Sequence, residues 1–401
     1  MLPGDIGSIG NPFDNSFHVV ITDHCASSTV LSGLTITGGN ANAQGGVPAT
    51  GGGVLNQGGS PQFVDCVFTA NAANFGAGMY TLDGAAQVTR CRFTANTAST
   101  FGGGIVNADG ANATFVSCVF RRNSAAYFGG AGMFNNTCQP LIANCTFIAN
   151  TSGSARYGGG GLRNEKSSPT ISNCTILINT AGLGGGIDNF NGSAAVIRNT
   201  ILFFNSDATG STEQGQIHND ASTPLFSNSC IQGLTGLLGG LGNFGANPAL
   251  VDLTGPDHLA GTSDDDLRPQ PASPCIDAVN NAAVPADGVD LDADANLVES
   301  RPFDLGGTAR FRDYVGAADT GSGVAPLVDV GAFEFQPHCL HAGCEDTDIA
   351  NNDCLVDLSD LVLLLSRYGY NYHLPGDLNY DGHVDLTDLA MMLAAYGTSC
   401  N

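Results

Sequence analysis

Between residues 51 and 205, one pattern of hydrophobic and polar positions returns at a nearly constant interval. In each repeat an apolar residue stands three positions before a cysteine, a phenylalanine or isoleucine stands two positions after it, and an asparagine stands five positions after it. The cysteines are Cys66, Cys91, Cys118, Cys145 and Cys174, with steps of 25, 27, 27 and 29 residues between them. A period of this length is typical of solenoids that are built from stacked coils.

The spacing inside each repeat predicts short β-strands. Side chains two positions apart lie on one face of a strand, whereas side chains three positions apart do not. We therefore expect a strand after each cysteine and a corner of the chain immediately before it. A second phrase, exemplified by Gly104–Asn107, predicts a further strand with one inward and one outward position. The predicted fold class is all-β, a parallel β-helix with three short strands in each coil.

Equivalent residues of adjacent coils should stack, because neighbouring parallel strands lie about 4.8 Å apart. The repeated asparagines are predicted to form an Asn ladder in one turn, joined by hydrogen bonds between their amides. These residues are Asn71, Asn96, Asn123, Asn150 and Asn179. The cysteines should form an inward ladder of reduced thiols, because a disulfide needs Cβ atoms about 3.8 Å apart and free cysteine packs well as a small apolar residue.

Charge and composition narrow the classes of partner. The formal net charge is −24, and the chain has 37 acidic residues against 13 basic ones. Such a balance argues against nucleic acid and anionic membranes as partners. No apolar run is long enough for a transmembrane helix. Most of the aspartates follow residue 206, where their short carboxylates suit Ca²⁺ or serve only as solubilising charge.

The first residues lack the basic and apolar regions of a signal peptide. The composition of the repeats is nevertheless that of a secreted protein. We therefore expect a protein that is either secreted or attached at a cell surface, and whose given sequence begins partway into a longer chain.

The repeats resemble those of bacterial polymorphic outer-membrane proteins. They are still more similar to repeats of secreted bacterial right-handed β-helix proteins, on phrases such as Ser168–Ile176. Further on, Ser273–Asp277, Arg301 and Asp329–Glu334 resemble the closing segment of secreted β-helix proteins with variable C-terminal anchors. This resemblance implies a right-handed β-helix over 1–245, an irregular acidic closing segment over 246–337, and an anchoring module over 338–401.

Two acidic stretches of the closing segment leave two interpretations open. They are Asp264–Asp266 and the loop from Asp287 to Asp294. Either stretch could bind Ca²⁺, although neither has a fixed ligand spacing, or could be an exposed acidic loop.

The strongest chemical motif is a twelve-residue loop near the C-terminus that places oxygen ligands at the spacing of a calcium site. An apolar helix follows it, and a second copy lies 28 residues earlier. The predicted ligands are Asp377, Asn379, Asp381, His383 (backbone carbonyl), Asp385 and Asp388 in the later loop, and Asn351, Asp353, Leu355 (backbone carbonyl), Asp357 and Asp360 in the earlier one. Ile349 occupies the first ligand position of the earlier loop and Cys354 its turn position, so this site should be the weaker.

The aspartate at the last loop position, in place of the glutamate of an EF-hand, is similar to the loop–helix halves of type I dockerins. The resemblance implies a small α-helical module with Ca²⁺ as cofactor and a cohesin-like protein as partner. The partner-binding positions would be Leu386, Thr387, Leu358 and Ser359; the family often has a Ser-Thr pair there. The tail cysteines Cys339, Cys344, Cys354 and Cys400 allow three pairings, of which Cys354–Cys400 with Cys339–Cys344 is favoured.

The motifs identify no catalytic residue. A lyase needs a base, and the outward basic candidates are Arg121, Arg122, Arg156, Arg163 and Lys166. A hydrolase needs two carboxylates about 5–9.5 Å apart. Asp188 and Glu165 form the one candidate pair, and isolated surface charges explain them better. We therefore predict a non-catalytic β-helix protein that recognises carbohydrate or a surface and is docked by its calcium-dependent tail. The alternatives are a dockerin-tethered polysaccharide lyase or glycoside hydrolase, and a spacer in the cell envelope.

Overall fold

The computed structural model describes residues 1–6, 11, 14–42, 49–312, 314, 317–336, 356, 358–366, 368, 378 and 383–396. The chain divides into two compact units, Met1–Glu334 and Phe335–Asn401. Among the residues described, no helix is sufficiently long and apolar to cross a membrane.

The first unit is a parallel β-solenoid whose strands stack into sheets A, B, C and D. Each regular coil passes through sheets B, C, A and D in that order. Sheet A consists of Leu2–Pro3, Thr35–Thr37, Val67–Thr69, Arg92–Thr94, Val119–Arg121, Thr146–Ile148, Thr175–Leu177, Ile201–Phe203 and Cys230–Ile231. Sheet B consists of Val20–Asp23, Val54–Gln57, Met79–Leu82, Ile105–Ala108, Met133–Asn136, Leu162–Glu165, Ile187–Phe190 and Ile217–Asp220.

Sheets C and D complete the coils. Sheet C consists of Val30–Ser32, Gln62–Val64, Gln87–Thr89, Thr114–Val116, Leu141–Ala143, Thr170–Ser172, Val196–Arg198 and Leu225–Ser227. Sheet D consists of Asn40–Ala41, Ala72–Phe75, Thr97–Phe101, Ser124–Ala125 and Thr151–Ser152. Sheet D was not predicted. Its inward residues are the buried alanines Ala41, Ala73 and Ala98, which carry too little hydrophobicity to mark a strand in the sequence.

The corner between sheets C and A is a single residue in the left-handed backbone region. It lies immediately before each repeated cysteine, as predicted, with φ of 53° at Asp65, 51° at Arg90 and 52° at Ser117. A second corner precedes each ladder asparagine, with φ of 53° at both Ala70 and Ala95. Each of these corners re-aims the chain without interrupting the stacking of equivalent residues.

The predicted Asn ladder is confirmed. The side-chain Nδ2 of each asparagine donates to Oδ1 of the next, at 3.0 Å from Asn71 to Asn96 and 2.9 Å from Asn123 to Asn150. The ladder continues beyond Asn179 to Asn205 and Gln216. A second ladder, which was not predicted, joins the inward asparagines of sheet B from Asn107 to Asn219.

The solenoid core consists of columns of equivalent side chains. Phe68, Phe93, Phe120 and Phe147 form a stack with ring centroids 4.3, 4.9 and 4.5 Å apart. The five repeated cysteines are fully buried free thiols, as predicted. Burial raises the pKa of Cys145 and Cys174 well above the usual value, because desolvation disfavours the thiolate.

The closing segment covers part of the outer face of sheet A. Leu177 and Phe203 from that face are buried in one cluster with Leu267, Val279 and Val328 of the segment. Backbone amides of the segment reach the solenoid directly, since Gly331 N–H donates to the Asn199 carbonyl at 2.9 Å and Ala332 N–H to Thr175 Oγ1 at 2.9 Å. The buried Arg310 of the segment donates hydrogen bonds to Glu334, at 2.9 Å, and to Asn144 of the solenoid.

Both units also contain short helices, and the first contains a separate pair of strands. In the first unit these are helix α1 (Glu213–Gln216), the 3₁₀ turn Asn281–Ala283, and an antiparallel pair of strands, Leu250–Asp252 with Asp266–Pro269. The second unit contains helices α2 (Leu358–Ser366) and α3 (Leu386–Ala395). Buried residues of this unit form one apolar cluster that includes Val356, Leu364, Leu378, Val384 and Met392.

Loss of one ladder asparagine should be costly. In Asn123→Ala, the Asn96 amides lose their acceptor and the Phe93 carbonyl loses a donor. Because each buried orphan costs about 1–3 kcal/mol, we expect a loss of at least about 3 kcal/mol. Urea unfolding followed by far-UV circular dichroism measures this.

The matched control is Thr97→Ala, which changes an exposed residue beside ladder residue Asn96 and should stay within about 0.5 kcal/mol of the parent. Equal midpoints for the two variants would contradict a stabilising role for the ladder.

Candidate functional site

The outer face of sheet A changes from polar to apolar along the solenoid. The third residues of its strands are in register and read Thr69, Thr94, Arg121, Ile148, Leu177 and Phe203. The closing segment buries the apolar half, where Ile148 is 3% exposed and Leu177 is fully buried. Arg121 is only partly covered. The boundary between the covered and open halves is therefore where a cavity forms.

This cavity, here called the arginine cavity, has a volume of about 450 Å³, which is within the range of small-ligand pockets. Solenoid and closing segment both line it. The lining includes Asp65, Arg90, Arg92 and Arg121 from the coils, and Thr262, Ser263, Asp265, Leu267, Leu305 and Phe333 from the closing segment. Gly261 permits the close approach of the loop, since a Cβ there would lie 2.9 Å from Arg122 Cγ.

The arginine cavity carries more positive than negative charge. Asp65 receives two hydrogen bonds from Arg90, at 2.8 and 2.9 Å, and this carboxylate raises the pKa of Arg90. Arg121 donates to Thr94 Oγ1 at 3.2 Å, while burial and nearby Arg92 lower its pKa. The Arg92 side chain makes no hydrogen bond or ion pair with any part of the chain that the structure describes. Arg92 and Arg121 could therefore donate hydrogen bonds to an anionic group.

A second cluster lies on the outer face of sheet B, where Arg163, Asp188 and His218 are paired in register. Arg163 Nη1 donates to Asp188 Oδ2 at 2.6 Å, and Asp188 Oδ1 lies 2.7 Å from His218 Nδ1. The Arg163 guanidinium lies 5.4 Å from the Tyr157 ring centroid and 4.9 Å from that of Phe190. This cluster is a desolvated ion network flanked by aromatic rings.

The interpretation of Asp188 and Glu165 as isolated surface charges was wrong. Asp188 is 1% exposed and Arg163 is 3% exposed, so neither is a solvated charge. Opposite Asp188 stands Arg163 rather than Glu165. Arg163 forms an ion pair with each of these carboxylates, at 3.7 Å to Glu165 and 2.6 Å to Asp188.

Repeat alignment alone could have identified several of these contacts. Asp65 and Arg90 occupy the same corner position in adjacent coils, and Asp188 and His218 occupy the same strand position. Since adjacent coils lie about 4.8 Å apart, opposite charges at equal repeat positions are close enough to pair. The sequence gives no local indication of the cavity, because six of its fifteen lining residues come from a segment more than 110 residues away in the chain.

His218 should make the fold pH-dependent. The hydrogen bond to Asp188 raises its pKa above the usual 6.5, although burial opposes the shift. A raised folded-state pKa means that the stabilisation is fully present below the unfolded pKa and is lost as pH rises through the folded pKa. The Tm advantage of the parent over His218→Gln should therefore be larger at about pH 5.5 than at about pH 9.

Differential scanning calorimetry at both pH values measures this difference. His258→Gln, which alters an exposed histidine of the same unit, is the control and should show no such pH dependence. A parent-minus-His218→Gln difference that grows with pH would refute the assigned role of Asp188.

In the second unit, the structure describes part of the predicted calcium loops. Asp385 caps helix α3, accepting from Thr387 N–H at 2.7 Å, and Asp388 accepts from the amides of Leu378 and Asp385 at 2.7 and 2.8 Å. Predicted ligands His383 and Asp360 are also described. The remaining predicted ligands lie outside the described residues: Asp377, Asn379, Asp381, Asn351, Asp353, Leu355 and Asp357.

The predicted partner-binding positions stand at the first turns of the two helices. Leu386 is 70% exposed at the start of α3, and Leu358 is 62% exposed at the start of α2. Thr387 and Ser359 follow them. The predicted disulfides cannot be placed, because Cys339, Cys344, Cys354 and Cys400 lie outside the described residues.

The stacked coils form a parallel β-helix, and residues 18–202 match the family model described as the right handed beta helix region. No curated protein matches the chain. Among solved structures, that of the pectate lyase Pel9A is similar with a TM-score of 0.37 and 14% sequence identity, covering 72% of this chain and 71% of that chain. A likeness at this level carries no argument about activity.

Proposed function

We propose that this protein binds an acidic polysaccharide on the flank of its β-helix, with a carboxylate of the glycan held in the arginine cavity. The observation that supports this most is the placement of the arginines. The whole chain has 13 basic residues against 37 acidic ones, yet Arg90, Arg92 and Arg121 line one cavity. Arginine binds carboxylates through paired hydrogen bonds, so these side chains suit a uronate residue.

Binding, rather than cleavage, is proposed because the acids at the cavity are already engaged. Asp65 accepts both hydrogen bonds from Arg90. Asp265 accepts from the backbone amides of Gly261 and Thr262, at 2.6 and 3.2 Å. A general acid or base needs a carboxyl that is available to the substrate, and these two carboxylates are held in place by the protein.

Removing one cavity charge should weaken binding of an oligouronate. A hydrogen bond to a charged group contributes about 1.5–3 kcal/mol, so Arg121→Gln should raise Kd about 10- to 100-fold. Binding should also weaken with added salt. Isothermal titration calorimetry with an oligouronate, and with the same oligosaccharide reduced to its neutral form, measures both effects.

The control is Arg198→Gln, which removes the same charge from an exposed strand position on sheet C. It should leave Kd close to the parental value. Equal affinities for the acidic and neutral oligosaccharides, or equal losses in the two variants, would refute the proposal.

The second candidate function is glycan cleavage at the sheet B cluster. Asp188 orients His218 through Nδ1 at 2.7 Å and raises its pKa, which is how a carboxylate prepares an imidazole for proton transfer. Tyr157 and Phe190 beside Arg163 offer rings for a sugar to pack on. Shortening of the glycan during the titration, abolished by His218→Gln but retained in Arg121→Gln, would favour cleavage over binding.

The tail is proposed to dock the protein to a cohesin-like partner in a calcium-dependent manner, as its resemblance to type I dockerins implies. The exposed Leu386 and Leu358 support this, because each is an apolar side chain presented at the start of a helix. The chemistry of the donor set also fits, since Asp385 and Asp388 supply the hard oxygen atoms that Ca²⁺ prefers. Such a tail belongs to a secreted, surface-attached protein.

Calcium should stabilise helix α3. Without a cation, the carboxylates of the loop repel one another, and the segment is too small to bury a large core. In the full chain, chelator should speed amide exchange in peptides covering Leu386–Ala395 at least about tenfold, as expected for loss of a bound ligand. Hydrogen exchange followed by mass spectrometry measures the exchange rate of these peptides with and without chelator.

The two loops should differ in this experiment. Asp381→Ala should weaken calcium binding more than Asp353→Ala does, because the earlier loop has Ile349 and Cys354 at key positions. An amide-exchange rate in α3 that is the same with and without chelator would contradict a calcium-dependent tail.

A further inference from the structure

An acidic loop of the closing segment has the geometry of a cation site. The loop is closed at its base by a bridge between Ala286 and Ser300, and Asp287 N–H donates to the Glu299 carbonyl at 2.8 Å. Carboxylate oxygens of Asp287, Asp292 and Glu299 all lie within 4.8 Å of one another. Three carboxylates of different loop positions thus converge on one point.

One of the three residues, Asp287, has a buried carboxylate oxygen with no hydrogen-bond donor among the described residues. Asp287 is fully buried, and its Oδ2 accepts from Leu291 N–H at 2.6 Å. Its Oδ1 has no hydrogen-bond partner in the described chain, and neither has the buried Oε1 of Glu299. A buried, unpaired carboxylate oxygen costs free energy unless something compensates it, so these two atoms point to a ligand with positive charge.

The neighbouring charges do not supply that compensation. Asp290 and Asp294 form a second close group with Asp292, so the loop concentrates negative charge. Burial and the nearby aspartates raise the pKa of Asp287, although the buried Arg301 opposes the shift. Arg301 Nε and Nη1 make no hydrogen bond to any described group. Arg301 therefore offsets only part of the charge and satisfies neither orphan oxygen.

The other acidic stretch of the segment behaves differently. Asp264 accepts from the Asp257 amide and from Thr262, and Asp265 accepts from the amides of Gly261 and Thr262. Its carboxylates are satisfied by the protein's own donors. The two acidic stretches, alike in composition, are thus distinguished by their hydrogen bonds.

We propose that Asp287 Oδ1, Glu299 Oε1 and a carboxylate oxygen of Asp292 bind a calcium ion. The ligands are all hard oxygens, which favours Ca²⁺ or Mg²⁺ over zinc. Calcium accepts irregular coordination by carboxylates, whereas magnesium demands a near-ideal octahedron. A loop that offers carboxylates from three separate positions matches the calcium preference.

Calcium at this site would hold the closing segment in place. The loop leads directly into Arg301, whose amide donates to the Pro285 carbonyl at 3.2 Å and whose side chain is 2% exposed. Binding to the folded state alone stabilises that state. Ca²⁺ should therefore raise the Tm of the first unit, independently of any effect on the tail.

The test uses the full chain and counts bound ions. Equilibrium dialysis with ⁴⁵Ca²⁺ should find about one calcium ion fewer per chain in Asp292→Asn than in the parent. Asp319→Asn, which removes an exposed carboxylate elsewhere in the same unit, should bind as much as the parent. Asp292 is exposed, so its variant should fold, and Glu299→Gln provides an independent second variant.

Hydrogen exchange separates this site from the tail loops. Calcium should slow exchange in peptides covering residues 287–299 of the parent but not of Asp292→Asn, and should raise the parental Tm by about 5 °C. Mg²⁺ at equal concentration should protect less. Equal calcium counts in the parent and Asp292→Asn, or protection confined to residues 378–396, would overturn the proposal.

Discussion

The structure depends on hydrogen bonding between equivalent residues of adjacent coils. Each ladder asparagine donates to the next amide and to a backbone carbonyl of a preceding coil, as Asn123 does to Asn150 and to Phe93. The corner beside it places a non-glycine residue in the left-handed region, at about 1–2 kcal/mol per residue. The buried hydrogen bonds offset that cost, because leaving the same amides unpaired would cost about as much for each orphan. Corner and ladder therefore stabilise each other, and their register sets the register of each coil.

Because the register is fixed, residues at the same position of successive repeats form columns on every face of the solenoid. Inside the solenoid the columns are rings and thiols, such as the stack from Phe68 to Phe147. Outside, the same rule places Asp65 beside Arg90, and Asp188 between Arg163 and His218. These charge clusters arise without any special loop. One substitution at a matching position of the next coil is enough to create an ion pair.

The prediction succeeded where cysteines, aromatic residues and asparagines mark each repeat, and it failed where the repeat is marked weakly or where no repeat exists. The corner before Cys66, the Asn ladder and the inward thiols follow from steps of two, three and five residues within one period. Sheet D was not predicted because its inward residues are alanines. The sheet B ladder was not predicted because Thr81 interrupts the column of asparagines. The arginine cavity and the loop at Asp287 depend on contacts across more than a hundred residues or on the direction of single carboxylate oxygens. Neither feature can be predicted from the spacing of residues that are close together in the sequence.

The closing segment links the stability of the solenoid to its surface chemistry. Leu177 and Phe203 make the outer face of sheet A apolar, and such a face needs a cover. The segment that covers it ends its contact near Arg121, where the face becomes polar again, and this edge forms one wall of the arginine cavity. A ligand that touches both Arg121 and the loop at Thr262 binds only the chain whose segment is in place. Ligand binding at the cavity and docking of the segment are then thermodynamically linked, so each strengthens the other by the same free energy.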